Sequence, residues 1–437
     1  MTTPQDSAAG PADRRAWYTL AVLTLANVSG LIDRQIVALL VEPLKRDLLI
    51  SDTQVSLLMG LSFVLFYSVL GVPVGVLVDR YSRRRIVAIG AVLWSGMTMM
   101  CGFAHTFVQL LVLRMGVGVG EATLGPAAIS LISDVFPSRL RARAMSVFSV
   151  GTFLGSGIAY AIGAYVAGMS ADAARIALPF GVSIRAWQVV FLIVGAPGLI
   201  VAGLALTMRE PRGPAAAPPR PFGDVLAYFR RHRRTLATLS FGFACSSAVN
   251  YGIAAWLATF FVRTHGWTVS DAGALQGGLT MTVGVVGALA GGWLTDRWMA
   301  RGRIDAPLRM AMLAAVGMIV SAGAYPMVNS SLVAAWLLVP VNLFAAMPWG
   351  AANAAVASAL PAHLRGQGTA LYLLVVNLFA GVVGPTSVAM VTDRVFADPR
   401  ALRYSLTICA VCGMVMAIAI LGSGLPAYRR TAEANRA

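Results

Sequence analysis

The sequence is poor in charge. Asp, Glu, Lys and Arg make up 12% of its 437 residues, where soluble domains carry about 25%. Hydrophobic residues reach 58% and mean hydropathy is +0.74. A water-soluble globule is excluded, and the composition is that of an integral membrane protein. Histidine is nearly absent. The four present, His105, His232, His265 and His363, fall in loops or at helix ends, which excludes a histidine proton relay inside the membrane. The four cysteines, Cys101, Cys245, Cys409 and Cys412, all lie in apolar runs. Cys409-Ala-Val-Cys412 has no second pair or histidine beside it, so it reads as packing rather than metal or redox chemistry. No nucleophile elbow, His-x4-Asp cluster or metal-ligand group stands near the apolar runs. The chain is therefore not expected to be an enzyme, and no cofactor or metal is expected.

Acidic residues are few as well, 18 against 34 basic ones, for a net charge of +16. A surplus of that size can serve nucleic acid, but its distribution argues otherwise. The basic residues concentrate in alternate loops, which is the positive-inside bias. It predicts both termini in the cytoplasm and an even number of spans, in a bacterial inner (plasma) membrane. The first apolar run is too long for a signal-peptide core and is expected to remain as the first span.

A span needs about 20 mostly apolar residues. Twelve are predicted, at 17–41, 54–78, 86–104, 107–133, 142–168, 187–208, 236–262, 271–295, 307–327, 331–358, 367–392 and 404–427. A Pro- and Arg-rich stretch divides them, giving an N-terminal bundle at 1–209, a cytoplasmic linker at 210–235 and a C-terminal bundle at 236–437. The linker ends Arg230-Arg231-His232-Arg233-Arg234, which suits an anionic membrane surface. The halves repeat. Gly75-x-x-x-Asp79-Arg80 with Arg83 and Arg84 follows span two, and Gly292-x-x-x-Asp296-Arg297 follows span eight, at an offset of 217 residues. Glycine lets helices approach closely, and an aspartate can serve a helix N-terminus across the loop. These residues are expected to gate the conformation. An all-α membrane protein with twelve transmembrane helices in two six-helix bundles has the layout of the major facilitator fold.

Only four charges fall deep inside apolar runs: Asp33 and Arg34 in span one, Arg114 and Glu121 in span four. Arg114 and Glu121 are seven residues apart, nearly two helical turns, and share a face. Gly118 and Gly125 leave room on it. Asp33 and Arg34 are adjacent and cannot face each other, so each needs a partner elsewhere. The economical arrangement brings the four together. A guanidinium keeps its proton, whereas a carboxylate can take one up, so Asp33 and Glu121 are the candidates for proton coupling. A static tetrad joining two helices is the other reading. Arg34, Arg114 and Asn27 are candidates for holding a substrate or its charge. Spans seven to twelve hold no interior charge. They carry Asn250, Tyr251, Trp256, Asn342, Phe344, Trp349, Asn353 and Asn377, which read either as an amphiphile-binding wall or, for the aromatics, as packing and lipid-facing groups.

Asp33-Arg34-Gln35, the Asp79-Arg80 loop, Arg114-x-Gly-Val-Gly-Val-Gly-Glu121-Ala, Leu-Ile-Ser-Asp134-Val-Phe-Pro and Gly381-Val-Val-Gly-Pro385 through Leu402-Arg-Tyr-Ser-Leu406 resemble the spinster-like transporters of the major facilitator superfamily. The resemblance spans nearly the whole chain and implies proton-coupled transport of a lysolipid- or sphingolipid-like amphiphile by alternating access. It carries the coupling role to Asp33 and Glu121 and the charge-partner role to Arg34 and Arg114. Two features depart from it. Ser82 stands where the loop motif usually has glycine. Span five has Gly151, Gly155, Gly157 and Gly163 but lacks the proline of the antiporter motif, so direction of exchange is not implied. The expected partners are a lipid-like small molecule, protons and the membrane, without nucleic acid, and the expected state is a monomer. The alternatives are a drug or organic-anion carrier of the same superfamily, then a membrane enzyme or a non-transporting receptor.

Overall fold

The computed structural model describes residues 14–169, 176–177, 183–210, 222–361 and 363–435. In lipid a backbone must satisfy its own hydrogen bonds, and a helix does so within one segment. The apolar runs accordingly form helices. The first half comprises α1 (Arg14–Leu39), α2 (Val41–Leu48), α3 (Asp52–Met59), α4 (Leu61–Arg80), α5 (Arg83–Cys101), α6 (Phe107–Glu121), α7 (Leu124–Val135), α8 (Ser138–Met169) and α9 (Ala186–Leu206). A two-residue antiparallel ladder, β1 (Ile176–Ala177) on β2 (Ser183–Ile184), lies between α8 and α9. After α10 (Phe222–Arg231) the second half comprises α11 (Arg233–His265), α12 (Val269–Leu279), α13 (Val285–Ala300), α14 (Ala306–Ala324), α15 (Ser331–Ala346), α16 (Pro348–Ala359), α17 (Arg365–Met390) and α18 (Leu402–Ala434).

Among the described residues twelve spans result, six per half, because α3–α4, α6–α7, α12–α13 and α15–α16 each make one interrupted span. Eleven are apolar and long enough by composition. The remaining one, α5, opens on three arginines. The interruptions have local causes. A π-helical turn at Thr280–Gly284 separates α12 from α13, and Pro348 starts α16. Between α6 and α7 the Thr123 hydroxyl donates to Gly120 O at 2.8 Å. Helices α11 and α18 run several residues past the predicted spans, since hydropathy marks the end of the lipid and not the end of the helix. Residues 1–13 of the predicted first bundle and 211–221 of the predicted linker lie outside the described residues.

The two halves meet on the side away from the Gly-x-x-x-Asp-Arg loops. There Arg263 of α11 donates to both oxygens of Asp52, at 2.7 and 2.8 Å, and to Glu42 at 2.7 Å. Lys45 also reaches Asp52, at 2.5 Å, and Asp52 is fully buried. Nearby, Asp393 accepts from the backbone and hydroxyl of Thr53, both at 2.7 Å. Glycine makes the helix crossings possible. Gly60 sits against the Gly381 backbone, so a side chain on Gly60 would collide with it. At the motif side the reverse holds. A Cβ on Gly75 or Gly292 would meet no neighbouring atom within 4 Å. Among the described residues the cross-half ionic contacts gather at one end, and at the end that carries the repeated loops the motif glycines face open space.

At the loop end each half has its own ties. Arg83 pairs with Asp134. Glu210 accepts from the Ser82 hydroxyl and from Arg83 N, so Glu210 supplies a carboxylate at the start of α5. Ser82, the departure from the loop motif, supplies that contact. The side chain of Asp79 lies outside the described residues. Asp296 is exposed, and Arg297 lies over the Trp293 ring at 5.2 Å. Asp305 accepts from Arg309 at 3.0 Å and from Arg429 at 2.5–2.9 Å. Its burial opposes ionisation, yet the Arg429 and Arg309 bonds outweigh it and hold the carboxyl below its usual range.

Removing one partner of a buried ion pair costs about 3–5 kcal/mol. Arg263→Ala should therefore destabilise the end where the halves meet. Spin-label distances between the start of α3 and the end of α11 should lengthen and broaden relative to wild type; unchanged distributions would show that the clamp does not hold this end.

Candidate functional site

The four deep charges do converge, in a more specific way than charge balance predicts. Arg34 of α1 donates through Nε to Glu121 Oε2 of α6 at 2.7 Å. Gly30, one turn before Arg34, faces the Glu121 carboxyl. Arg114 is fully buried, but its Nη1 donates to the backbone carbonyl of Asp33, at 2.9 Å, and not to the Asp33 carboxylate. Both Asp33 carboxylate oxygens are buried and lack a hydrogen-bond partner among the described residues. Thr98 of α5 lies beside that carboxyl. The space next to Arg114 at Gly118 is taken by the backbone of Phe63, so α4 packs directly on α6 there.

Two residues that the charge pattern did not single out complete the cluster. The Arg34 guanidinium lies 4.6 Å from the Phe63 ring centroid and 4.5 Å from that of Tyr67. The two rings stack at 5.4 Å. Their i, i+4 spacing on one face of span two is the sequence signal that could have found them. Arg34 remains 31% exposed while Glu121 is 2% exposed. The arginine therefore presents a free face, and its counterion does not.

That face looks toward the second half. Tyr251 and Tyr67 are both close enough to interact electrostatically with Arg34. Tyr251 in turn lines a cavity of about 290 Å³ between α11, α12–α13, α15–α16 and α17. Asn250, Asn342, Trp349, Asn353 and Asn377 line it too. Two predicted wall residues do not. Trp256 is fully buried, and its indole donates to Pro385 O at 2.9 Å, packing α11 on α17. The Phe344 ring turns away and fills the space beside Gly317 of α14. Helical periodicity places both in spans but does not say which neighbour they face. Asn27 donates to Thr152 Oγ1 at 2.9 Å and joins α1 to α8. Among the described residues no group of His, Cys, Asp and Glu has a metal-binding arrangement.

When one member of a partly buried ion pair is removed, the cost depends on where the other is left. Arg34→Leu strands a carboxylate with 2% exposure, whereas Glu121→Leu leaves a cation with 31%. The arginine variant should lose more stability, about 3–5 kcal/mol against roughly 1–2 kcal/mol. Thermal melting of the two purified variants in one detergent measures the order; a reversed order would contradict this account of the pair.

Residues 23–385 match the family model described as Major Facilitator Superfamily. Protein spinster homolog 1 of Homo sapiens is 27% identical, over 96% of this chain and 83% of that protein. An MFS-type efflux pump of Mycolicibacterium smegmatis is 30% identical, over 69% of this chain and 68% of the pump. The probable L-galactonate transporter of Escherichia coli is 24% identical, over 92% and 88%. A crystal structure of a bacterial homolog of the human lysosomal transporter Spinster, inward-facing and unoccupied, is similar with a TM-score of 0.78 and 26% identity, covering 97% of this chain and 98% of that one. With these likenesses beside its twelve spans, the chain belongs to the Major Facilitator Superfamily of membrane transporters and is spinster-like in sequence and fold.

Proposed function

We propose that the protein is a proton-coupled secondary transporter of an amphiphilic anion, working by alternating access of its two halves, 1–209 and 236–437, about the linker at 210–235. The observation that carries this reading is Arg34, paired with a buried glutamate on one side, still partly exposed, and within electrostatic reach of Tyr251 of the cavity wall. An arriving phosphate or carboxylate suits the guanidinium fork. Once Arg34 turns to it, Glu121 loses its counterion in a site with almost no water. A stranded carboxylate there takes up a proton rather than stay charged. Anion and proton would then bind together. Asp33, buried without a partner beside Arg114 and Thr98, serves as a second proton acceptor.

On the positive-inside topology the loop end faces the cytoplasm, in a bacterial inner membrane, and the protein works as a monomer. Closing that end would extend the α4–α17 and α8–α12 crossings and bring Gly75 and Gly292 each toward the helices of the opposite half. Asp79, Arg80, Arg83, Arg84, Asp296 and Arg297 set the balance between the two states. The other reading within the superfamily, a drug or organic-anion carrier, is favoured by the efflux-pump relative and is separated from this one by the tail of the substrate.

Asp33→Asn and Glu121→Gln should each abolish pH-gradient-driven transport in proteoliposomes while leaving insertion and monodispersity intact. Gradient-driven transport at wild-type rates in both would remove them from coupling. Affinity should rise with alkyl length until the cavity is filled, at roughly 0.8 kcal/mol per buried methylene. Arg34→Ala should weaken a charged amphiphile far more than a neutral one of equal length. Binding that ignores length would favour a small hydrophilic cargo instead.

A further inference from the structure

The basic linker suits a membrane surface, yet the helix within it spends its apolar side on the protein. Val225 of α10 is fully buried. Tyr228 and Phe229 pack on the hydrophobic cluster that includes Ala355, Val356 and Ala359 of α16. Tyr228 also bonds there. Its hydroxyl donates to Ala359 O at 3.0 Å and accepts from Asn435 Nδ2 at 3.2 Å. The same amide nitrogen donates to Ser358 O at 3.3 Å. The His232 ring stacks on that of Tyr228 at 4.4 Å. Asn435 is carried to this point by α18, where Thr431 shares a hydrogen bond of 2.9 Å with Thr235 of α11.

These bonds fall where α16 needs them. The last four carbonyls of an α-helix have no partner within it. In α16 they belong to residues 356–359, and Leu360 leaves the helix in an extended conformation. Two of those four, Ser358 and Ala359, are satisfied from the linker and from the C-terminal end of the chain. At its other end α16 begins on Pro348, which has no N–H to return to α15. The helix is therefore a separate twelve-residue piece, joined through a proline break at the level of the cavity and pinned by borrowed hydrogen bonds at the loop end. Between those ends it carries Trp349, Ala352 and Asn353 on the cavity wall. Its main neighbours, α13 and α14, belong to its own half.

We propose that Tyr228 and Asn435 are positioning residues: they form a latch by which the linker and the C-terminal end hold α16, and with it one wall of the cavity, away from the first half. Closing the loop end moves α16 toward the first half, and the latch opposes that movement. The linker then does more than tether the halves, because a displacement of α10 is passed to Trp349 and Asn353. The inference rests on alternating access of the two halves and on no particular cargo or proton step.

The test uses the full-length protein with its four free cysteines replaced by alanine. Spin labels go on Arg141, exposed at the start of α8, and Ala357, exposed near the end of α16. Tyr228→Phe keeps the ring and its stacking and removes only the hydroxyl. It should lower the ratio of the longer to the shorter label distance by roughly two- to tenfold, the effect of one hydrogen bond. Asn435→Ala should act in the same direction. The double variant should shift the ratio by less than the product of the two, because the side chains share a bond; a full product would mean two independent contacts and not a latch. Amide exchange in the last turn of α16, followed by mass spectrometry, should quicken in both single variants. Faster exchange with unchanged distances would make the contact merely structural and overturn the proposal, as would a rise in the longer distance. Transport by the same variants in proteoliposomes separates the two levels of the reading. Unchanged distances in a transporting protein overturn the latch alone; unchanged distances in a protein that moves nothing overturn alternating access with it.

Discussion

Everything specific about this molecule turns on the environment of one arginine. Arg34 cannot shed its proton and stands where the membrane interior would otherwise exclude a charge. It is held by a carboxylate at 2.7 Å on one side and by two stacked rings on the other. Those contacts satisfy it without enclosing it. Arg114 is fully buried, so nothing reaches it in this arrangement. Arg34 is partly exposed and faces a carboxylate that is not, so under the proposed function the charge of the site would depend on what binds beside it.

The scaffold around that pair suits the proposed rocking of the two halves. At one end the halves are joined by Arg263, Asp52 and Asp393 and by a glycine-to-glycine crossing at Gly60 and Gly381. At the other end a Cβ on either motif glycine would meet nothing, and the ionic ties found among the described residues run within a half, as between Arg83 and Asp134 or Asp305 and Arg429. A rigid core with contacts at one end and bare small residues at the other can rock without repacking its interior. The buried pair sits inside one half, between α1 and α6, so rocking need not break it. Ligand binding is what can.

Much of this was legible in the sequence, for physical reasons. Long apolar runs have few choices in lipid, so the spans follow from composition. The two Gly-x-x-x-Asp-Arg loops reveal the repeat. Four charges isolated among apolar residues must converge, and they do. What the sequence could not resolve was the pairing among them. The four were expected to gather with their charges balanced; Arg114 donates to the Asp33 backbone carbonyl rather than to its carboxylate. Phe63 and Tyr67 were missed since aromatics are unremarkable in a membrane span. Trp256 and Phe344 were left open between cavity wall and packing for the same reason: periodicity names a face, and only the fold shows that both pack. The asparagines of the second half were found as candidates, but their orientation depends on backbone carbonyls that no sequence pattern displays.

The central claim is that an anion and Glu121 compete for Arg34, so that binding one drives a proton onto the other. Isothermal titration of a dodecyl phosphodiester into the detergent-purified protein, in buffers of equal pH and different ionisation enthalpy, measures this directly. The account predicts a binding heat that varies with the buffer in the sense of proton uptake with each anion bound, and an invariant heat in Glu121→Gln. A heat independent of the buffer in the wild-type protein would contradict it.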